Sequence, residues 1–108
     1  MIENVFEELK ADGFVRSGNE FSRDWLGMEE SYMRCLRAKD RTPSVRALMN
    51  CSLRLLNTGE ALVASEMGEV KRKGIKLKEL ANVCVVHALG SDAERVVARA
   101  ISAGVNRR

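Results

Sequence analysis

Apolar residues recur at helical spacing along the first part of the chain. In residues 2–11 they stand three or four positions apart, at Ile2, Val5, Phe6 and Leu9. This spacing predicts an amphipathic helix over 2–11. Gly13 follows it and is the residue type that most often ends a helix.

A second, shorter helix is predicted from about residue 18 to residue 26. Ser17 and Glu20 have the S-x-x-E spacing of a capping box, in which the hydroxyl accepts from a free backbone N–H and the carboxylate reaches back. Gly27 breaks the pattern. A third helix is predicted over about 29–38, with Tyr32 and Met33 on its inner side.

The fourth helix is predicted to begin at Thr42 and Pro43. Threonine is a good N-cap, and proline suits the first helical position because its missing N–H would be unpaired there. The apolar pattern continues to residue 56, and Asn57, Thr58 and Gly59 predict the end of the helix.

The pattern in the second half of the chain predicts three more helices, over residues 60–72, over residues 76–89 and from about residue 91 to Gly104. Gly74 is predicted to separate the first of these helices from the second. Val83–Val86 is β-branched enough for a strand to be the alternative there. The whole pattern predicts an all-α protein.

Composition narrows the class of protein. The chain has 108 residues, 45% hydrophobic and 31% charged, which predicts one folded domain with or without an appendage. The plausible boundary separates residues 1–58 from 59–108. No apolar run approaches the ~20 residues that span a bilayer, so we expect no membrane partner. Three cysteines without CxxC spacing favour a reducing, cytoplasmic setting over a disulfide scaffold.

The charge is unevenly distributed along the chain. The net charge is only +3, but residues 31–54 carry six basic residues against one acidic residue, a net charge of +5. A second basic cluster begins at Lys71. Basic segments attract phosphate backbones, although many such runs only face solvent.

Residues 20–48 have the outline of a helix-turn-helix, a short helix followed by a glycine turn and a basic helix. Ser22 would allow the two helices to approach closely, and Gly27 would supply the turn. The apolar anchors would be Phe21, Trp25, Met28, Met33 and Leu36. This assignment requires a turn one residue longer than usual, because otherwise Arg23 would occupy the position of the small residue.

Three stretches, EFSRDWLG at 20–27, SYMRCLR at 31–37 and RTPSVRAL at 41–48, resemble the Cro/C1-type repressor fold. The sequence also resembles a group of small bacterial proteins of unknown function. The resemblance covers residues 2–56 and implies a lambda-repressor-like helix-turn-helix bundle with a C-terminal helical extension.

The resemblance also implies a small, sequence-specific transcriptional regulator that binds double-stranded DNA. Glu30, Ser31 and Arg34 would face base edges in the major groove, and Tyr32 would pack or reach a phosphate. Further phosphate contacts would come from Arg37, Lys39 and Arg41. Such repressors bind as two-fold dimers, so residues 60–105 would form a dimerisation unit or, alternatively, complete a monomeric core.

Other functions have less support in the sequence. Carboxylates at 29 and 30 would repel phosphates, which leaves open an adaptor that binds protein without DNA. Cys84 and His87 supply two metal ligands at most, whereas a structural zinc site needs four. No Walker, GxGxxG or GxSxG motif is present, so we expect no enzyme, no metal and no cofactor.

Overall fold

The computed structural model describes residues 1–90. In this part of the chain the helices are α1 (Ile2–Ala11), α2 (Gly18–Glu20), α3 (Tyr32–Lys39), α4 (Val45–Val63) and α5 (Gly68–Leu89), and α2 continues as a π-helical turn over Phe21–Trp25. These residues contain no strand, and the predicted all-α class is confirmed. The helix predicted from residue 91 lies outside the described residues.

Helices α4 and α5 form a long antiparallel hairpin whose chain reverses at residues 64–67. The helix end predicted at Asn57–Gly59 and the interruption predicted at Gly74 are both wrong, since both segments lie inside helices. A Cβ on Gly59 would lie 2.8 Å from the Gly74 carbonyl oxygen. The two glycines therefore allow the helix backbones to touch, and this contact compensates for their low helix propensity.

Buried side chains, most of them small, continue this contact along the hairpin. On α4 the buried residues include Ala47, Cys51 and Leu55, and on α5 they include Ala81 and Cys84. The four-residue steps on α4 keep one stripe facing α5. Cys51 and Cys84 meet in this seam, where the neighbouring thiol and burial raise the pKa of Cys51.

Helix α1 has the predicted bounds and packs its apolar stripe into the core. The Phe6 and Phe21 rings are 5.4 Å apart between centroids. Lys76 of α5 forms ion pairs with Glu8 and with Asp12 near the end of α1. The helix ends before Gly13, which has a φ of +82° as its predicted role requires.

Two helix starts differ from the prediction. Helix α3 begins at Tyr32, three residues later than predicted, because its first turn is capped from another segment, as shown below. Helix α4 begins at Val45, and its N-cap is Ser44, whose hydroxyl accepts from the Ala47 N–H at 3.1 Å. Thr42 and Pro43 lie before the cap.

The predicted boundary at residue 58 falls inside α4, which crosses it without a break. Buried apolar residues from both sides, such as Phe21 and Leu77, belong to one core cluster. The division into 1–58 and 59–108 stays a prediction. No helix within residues 1–90 is long and apolar enough to cross a membrane.

Candidate nucleic-acid interface

The segment before α3 begins with a capped helix that widens into a π turn. The Ser17 hydroxyl accepts from the Glu20 N–H at 3.2 Å, as the capping-box spacing predicts. The Leu26 N–H then bonds the Phe21 carbonyl at 3.1 Å, five residues back. A π turn holds one residue more than an α-helical turn. The helix that precedes α3 therefore holds one residue more than a regular α-helix would.

Ser22 joins α3 to the segment that precedes it. Its side chain is fully buried, its hydroxyl donates to the Gly18 carbonyl at 2.7 Å, and it accepts from the Met33 N–H at 3.1 Å. One of the free N–H groups in the first turn of α3 is therefore capped by a residue 11 positions away. The predicted small residue at the contact between these helices is confirmed, and it also explains why α3 begins late.

The turn between the helices is held by Gly27 and Asn50. Gly27 has a φ of +65°, which confirms the predicted turn. Asn50 of α4 donates from Nδ2 to the Leu26 carbonyl at 3.0 Å, and a Cβ on Gly27 would lie 2.7 Å from that same nitrogen. Asn50 was not predicted as part of this site, because a polar residue on a helix gives no local sign of a partner 24 positions away.

Tyr32 fixes the connection between α3 and α4. Its hydroxyl oxygen accepts from the Ser44 N–H at 2.9 Å and lies 3.4 Å from the Ser44 hydroxyl. At the end of α3, Asp40 has a φ of 48°, and the Arg41 N–H bonds the Leu36 carbonyl at 2.9 Å. Tyr32 is half-buried, and its hydroxyl is already hydrogen-bonded to Ser44 within the fold.

The outer side of α3 is open to solvent. Met33 is buried beneath the helix, while Arg34, Cys35 and Ala38 are exposed. Ser31, at the N-terminal end, is half-buried, and its spacing of three residues places it on the same side as Arg34. The side chains on this side of α3 are therefore short, except for Arg34.

Two more exposed cations lie at the C-terminal end of α3, Lys39 and Arg41. Neither they nor Arg34 forms an ion pair with any residue in the described part of the chain. Three of the seven predicted site residues are therefore exposed cations without an ion-pair partner within residues 1–90.

Glu30 lies before α3 rather than on it, and it is paired. Arg23 donates to Glu30 at 2.9 Å and to Asp24 at 2.9 Å. The hydrogen bond from Arg23 holds the pKa of Asp24 below its usual value. Both carboxylates face an arginine, so the negative charge at this end of α3 is partly neutralised.

Arg37 is also paired, with Glu3 of α1. The guanidinium makes two hydrogen bonds to that carboxylate, one of them 2.9 Å from Nη2 to Oε2, and it lies 5.8 Å from the centre of the Phe6 ring. These bonds lower the pKa of Glu3 and raise that of Arg37. The charge of Arg37 is therefore partly neutralised by Glu3, a partner the sequence pattern did not indicate.

Arg54 of α4 is a further cation near this segment, and it is not among the predicted site residues. Its guanidinium carbon lies 5.0 Å from the centre of the Trp25 ring, and Nη1 is 3.4 Å from the Asp24 carbonyl oxygen. Arginine over an indole face is a favourable cation–π pair. Arg54 therefore ties α4 to the end of the π turn.

A cleft of about 590 Å³ opens between the start of α1, residues 41–43 and the end of α5. The titratable side chains on its walls are Glu3, Arg41 and His87. Glu3 is a weak base there because Arg37 lowers its pKa. Cys84 is buried against Cys51, whereas His87 is exposed. In residues 1–90 no group of three or more His, Cys, Asp or Glu side chains is placed to hold a metal.

A protein-family model matches residues 2–98, nearly the whole chain, and its description is a family of unknown function, DUF6626. The chain belongs to this family. The match extends well past residue 56, where the resemblance seen in the sequence stopped. No curated protein and no solved structure matches the chain.

Proposed function

We propose that this protein binds double-stranded DNA in a sequence-specific manner as a small transcriptional regulator of the Cro/C1 helix-turn-helix type. In this proposal α2 and its π turn are the supporting helix, and α3 enters the major groove. A groove of about 12 Å width admits one α-helix.

The observation that carries the proposal is the exposed side of α3, whose cations Arg34, Lys39 and Arg41 form no ion pair with the described part of the chain, residues 1–90. Ser31 and Arg34 lie on the open side, where they would meet base edges, and arginine is the side chain that most often reads guanine. Lys39 and Arg41 follow at the C-terminal end, where they would contact phosphates. The net charge of +5 over residues 31–54 adds sequence-independent attraction.

The paired residues have different parts in the proposed complex. Glu30 would approach the DNA with its charge shared by Arg23, which reduces repulsion from phosphates. Arg37 would become a phosphate contact after exchanging Glu3 for a phosphate oxygen. Tyr32 would position α3 through Ser44 and leave base contacts to its neighbours.

A protein-binding adaptor that does not bind DNA is the second candidate. The observation that favours it is that two arginines, Arg23 near the start of α3 and Arg37 on α3, are paired with carboxylates of the same chain. An adaptor has no need for free cations there.

Capture of sheared genomic DNA from the source organism, sequenced after washes at two salt concentrations, distinguishes the two functions. Discrete peaks with a shared sequence that survive the higher salt would support the regulator. No enrichment, or uniform binding lost as salt rises, would leave only backbone electrostatics and favour the adaptor.

Two substitutions then test the roles of single residues. Arg34→Ala should change the preferred sequence, whereas Lys39→Ala should weaken binding to all duplexes and lower the salt slope by about one unit. Lys71→Ala is the matched control, because it removes the same charge at an exposed site on α5. Equal losses for Lys39→Ala and Lys71→Ala would show that only net charge matters.

A further inference from the structure

The cleft between the start of α1, residues 41–43 and the end of α5 lies apart from the surface that would read DNA. Its volume of about 590 Å³ lies within the range of roughly 300–1,000 Å³ that small-molecule sites occupy. No residue of α3 lines it. A ligand in the cleft would therefore leave the outer side of α3 open.

Apolar side chains from three segments form most of the cleft wall. Ile2 of α1 and Leu48 of α4 are buried, whereas Val45 and Leu89 remain 59% and 39% exposed. Large apolar side chains that stay exposed inside a concave surface are the contacts that an apolar ligand group covers. The wall therefore favours a ligand with an apolar body.

Arg41 brings a positive charge to this wall. Its side chain is exposed, and it forms no ion pair with any residue from 1 to 90. Its backbone is fixed, because the Arg41 N–H bonds the Leu36 carbonyl at 2.9 Å after the left-handed turn at Asp40. The cation is therefore attached to a defined point at the edge of the cleft.

Glu3 is the acidic side chain on the described part of the wall, and its charge is partly neutralised. Its carboxylate pairs with Arg37 of α3, which holds the pKa of Glu3 below its usual value. That pair adds no net charge, so Arg41 sets the sign of the cleft. His87 and Thr42 add hydrogen-bonding side chains.

We propose that this cleft binds a small carboxylic acid with an apolar tail. The carboxylate pairs with Arg41, and the tail lies against Val45 and Leu89. A guanidinium presents two parallel N–H donors that match the two oxygens of a carboxylate. A single cation balances a single negative charge, whereas a doubly charged phosphate would lack its second cation here.

The bound acid would also regulate DNA binding, an extension that rests on the proposed function. Arg41 is a proposed phosphate contact, and one guanidinium cannot pair fully with a phosphate and with a carboxylate at once. The acid would therefore compete with DNA for Arg41. We expect it to weaken the affinity for DNA about 3–10-fold at low salt and to lower the salt slope by about one unit.

Titration of the full-length protein with octanoate, followed by calorimetry and by heteronuclear NMR, tests the site without DNA. We expect saturable binding with a Kd of about 1 mM or tighter, as is usual for a ligand of about ten heavy atoms in a matching cleft. The amide signals of Leu48 and Ala88, from two segments of the wall, should shift together. Octanol, which keeps the tail, and acetate, which keeps the carboxylate, should each bind at least about tenfold more weakly.

Two pairs of variants test the two halves of the site. Arg41→Gln should weaken octanoate binding about tenfold, whereas Lys39→Gln, which removes the same charge at an exposed site outside the cleft, should not change it. Val45→Asp should weaken it at least as much, because the new carboxylate would repel the ligand. Leu53→Asp is the control, since Leu53 is 58% exposed on the same helix but outside the cleft. All four sites are exposed, so circular dichroism should show an unchanged fold.

Several results would overturn the proposal. The first is the absence of saturable octanoate binding up to about 10 mM. Equal binding of octanoate and octanol, or an unchanged affinity in Arg41→Gln, would show that no carboxylate pairs with Arg41. Equal losses for Val45→Asp and Leu53→Asp would show that the ligand does not occupy the cleft.

The outcomes also separate this inference from the proposed function. Octanoate binding by a protein that captures no DNA would retain the site and reject the regulator. Specific DNA capture by a protein that does not bind octanoate would do the reverse. An affinity for DNA that bound octanoate leaves unchanged would overturn the regulatory extension.

Discussion

Replacing Ser22 with alanine removes the hydroxyl that joins α3 to the helix before it. The substitution removes two hydrogen bonds, one to the Gly18 carbonyl and one from the Met33 N–H, and only the second loss leaves a backbone group without a partner. The Gly18 carbonyl still accepts from the Phe21 N–H. The Met33 N–H is buried and has the Ser22 hydroxyl as its partner, so its loss leaves an unsatisfied donor at the start of α3.

The expected cost follows from that one donor. A buried polar group left without a partner costs about 1–3 kcal/mol. The missing oxygen leaves a void smaller than a methyl group and adds little. We therefore expect Ser22→Ala to lower the free energy of unfolding by about 2 kcal/mol, out of the roughly 5–15 kcal/mol typical of a folded domain. The corresponding fall in Tm is about 10 °C.

Urea unfolding followed by Trp25 fluorescence measures this change directly, since Trp25 is the single tryptophan and is buried. All samples need one protein concentration, because association would shift the apparent stability. Ser52→Ala is the matched control. Ser52 is also buried, on α4, and its hydroxyl forms no hydrogen bond within residues 1–90. A loss below about 0.5 kcal/mol for Ser22→Ala, equal to that for Ser52→Ala, would refute the argument.

The hairpin and the α1–α3 ion pair give three further predictions. Gly59→Ala should lower the free energy of unfolding in urea by about 1–3 kcal/mol, because the new Cβ would lie 2.8 Å from the Gly74 carbonyl oxygen. Gly68→Ala is the control, since its Cβ would meet nothing within 4 Å, and it should change the stability by less than about 0.5 kcal/mol. Equal effects of the two substitutions would contradict the close contact. Glu3→Gln removes the carboxylate that pairs with Arg37 and should raise the affinity for DNA about 2–5-fold at low salt, measured by fluorescence anisotropy. The slope of affinity against salt concentration should increase by about one unit. An unchanged slope would show that Arg37 contacts no phosphate. The ion pair should stabilise the fold by less than about 1 kcal/mol, because the site is half-exposed. Since the pKa of Glu3 is lowered in the folded protein, this stability is fully present when the pH is above the usual carboxyl pKa, and it is lost as the pH falls through the lowered pKa. Wild type and Glu3→Gln should therefore begin to converge in acid denaturation series below about pH 4 and should coincide once the pH is below the lowered pKa of Glu3; a difference that does not shrink as the pH falls would contradict this assignment.

The sequence pattern was sufficient to predict an element where the residues that determine it lie within the same short segment. The bounds of α1 follow from an apolar stripe with glycine after it, and the start of α2 follows from the Ser17 cap. The turn at Gly27 was predictable because a positive φ favours glycine whatever surrounds it. The burial of Ser22 was also predictable, since two helices that cross closely need a small residue between them.

The candidate site was only partly predictable from the residue types. Arg34, Lys39 and Arg41 are exposed, as a basic helix end suggests. The pairing of Arg37 with Glu3, 34 positions earlier, could not be predicted, because any of several carboxylates in the first 30 residues could meet it. Which cations stay free is decided only when α1 is placed beside α3.

By itself the sequence determined the all-α class, the helix α1 and the turn at Gly27, because helical periodicity and glycine conformation act over a few residues. The tertiary structure alone decided that α4 and α5 run unbroken through Gly59 and Gly74. A glycine inside a helix costs about 1 kcal/mol, which predicts a break when the segment is considered alone. When two helices pack backbone to backbone at those glycines, contact along the whole hairpin outweighs that cost, and the local signal is overridden.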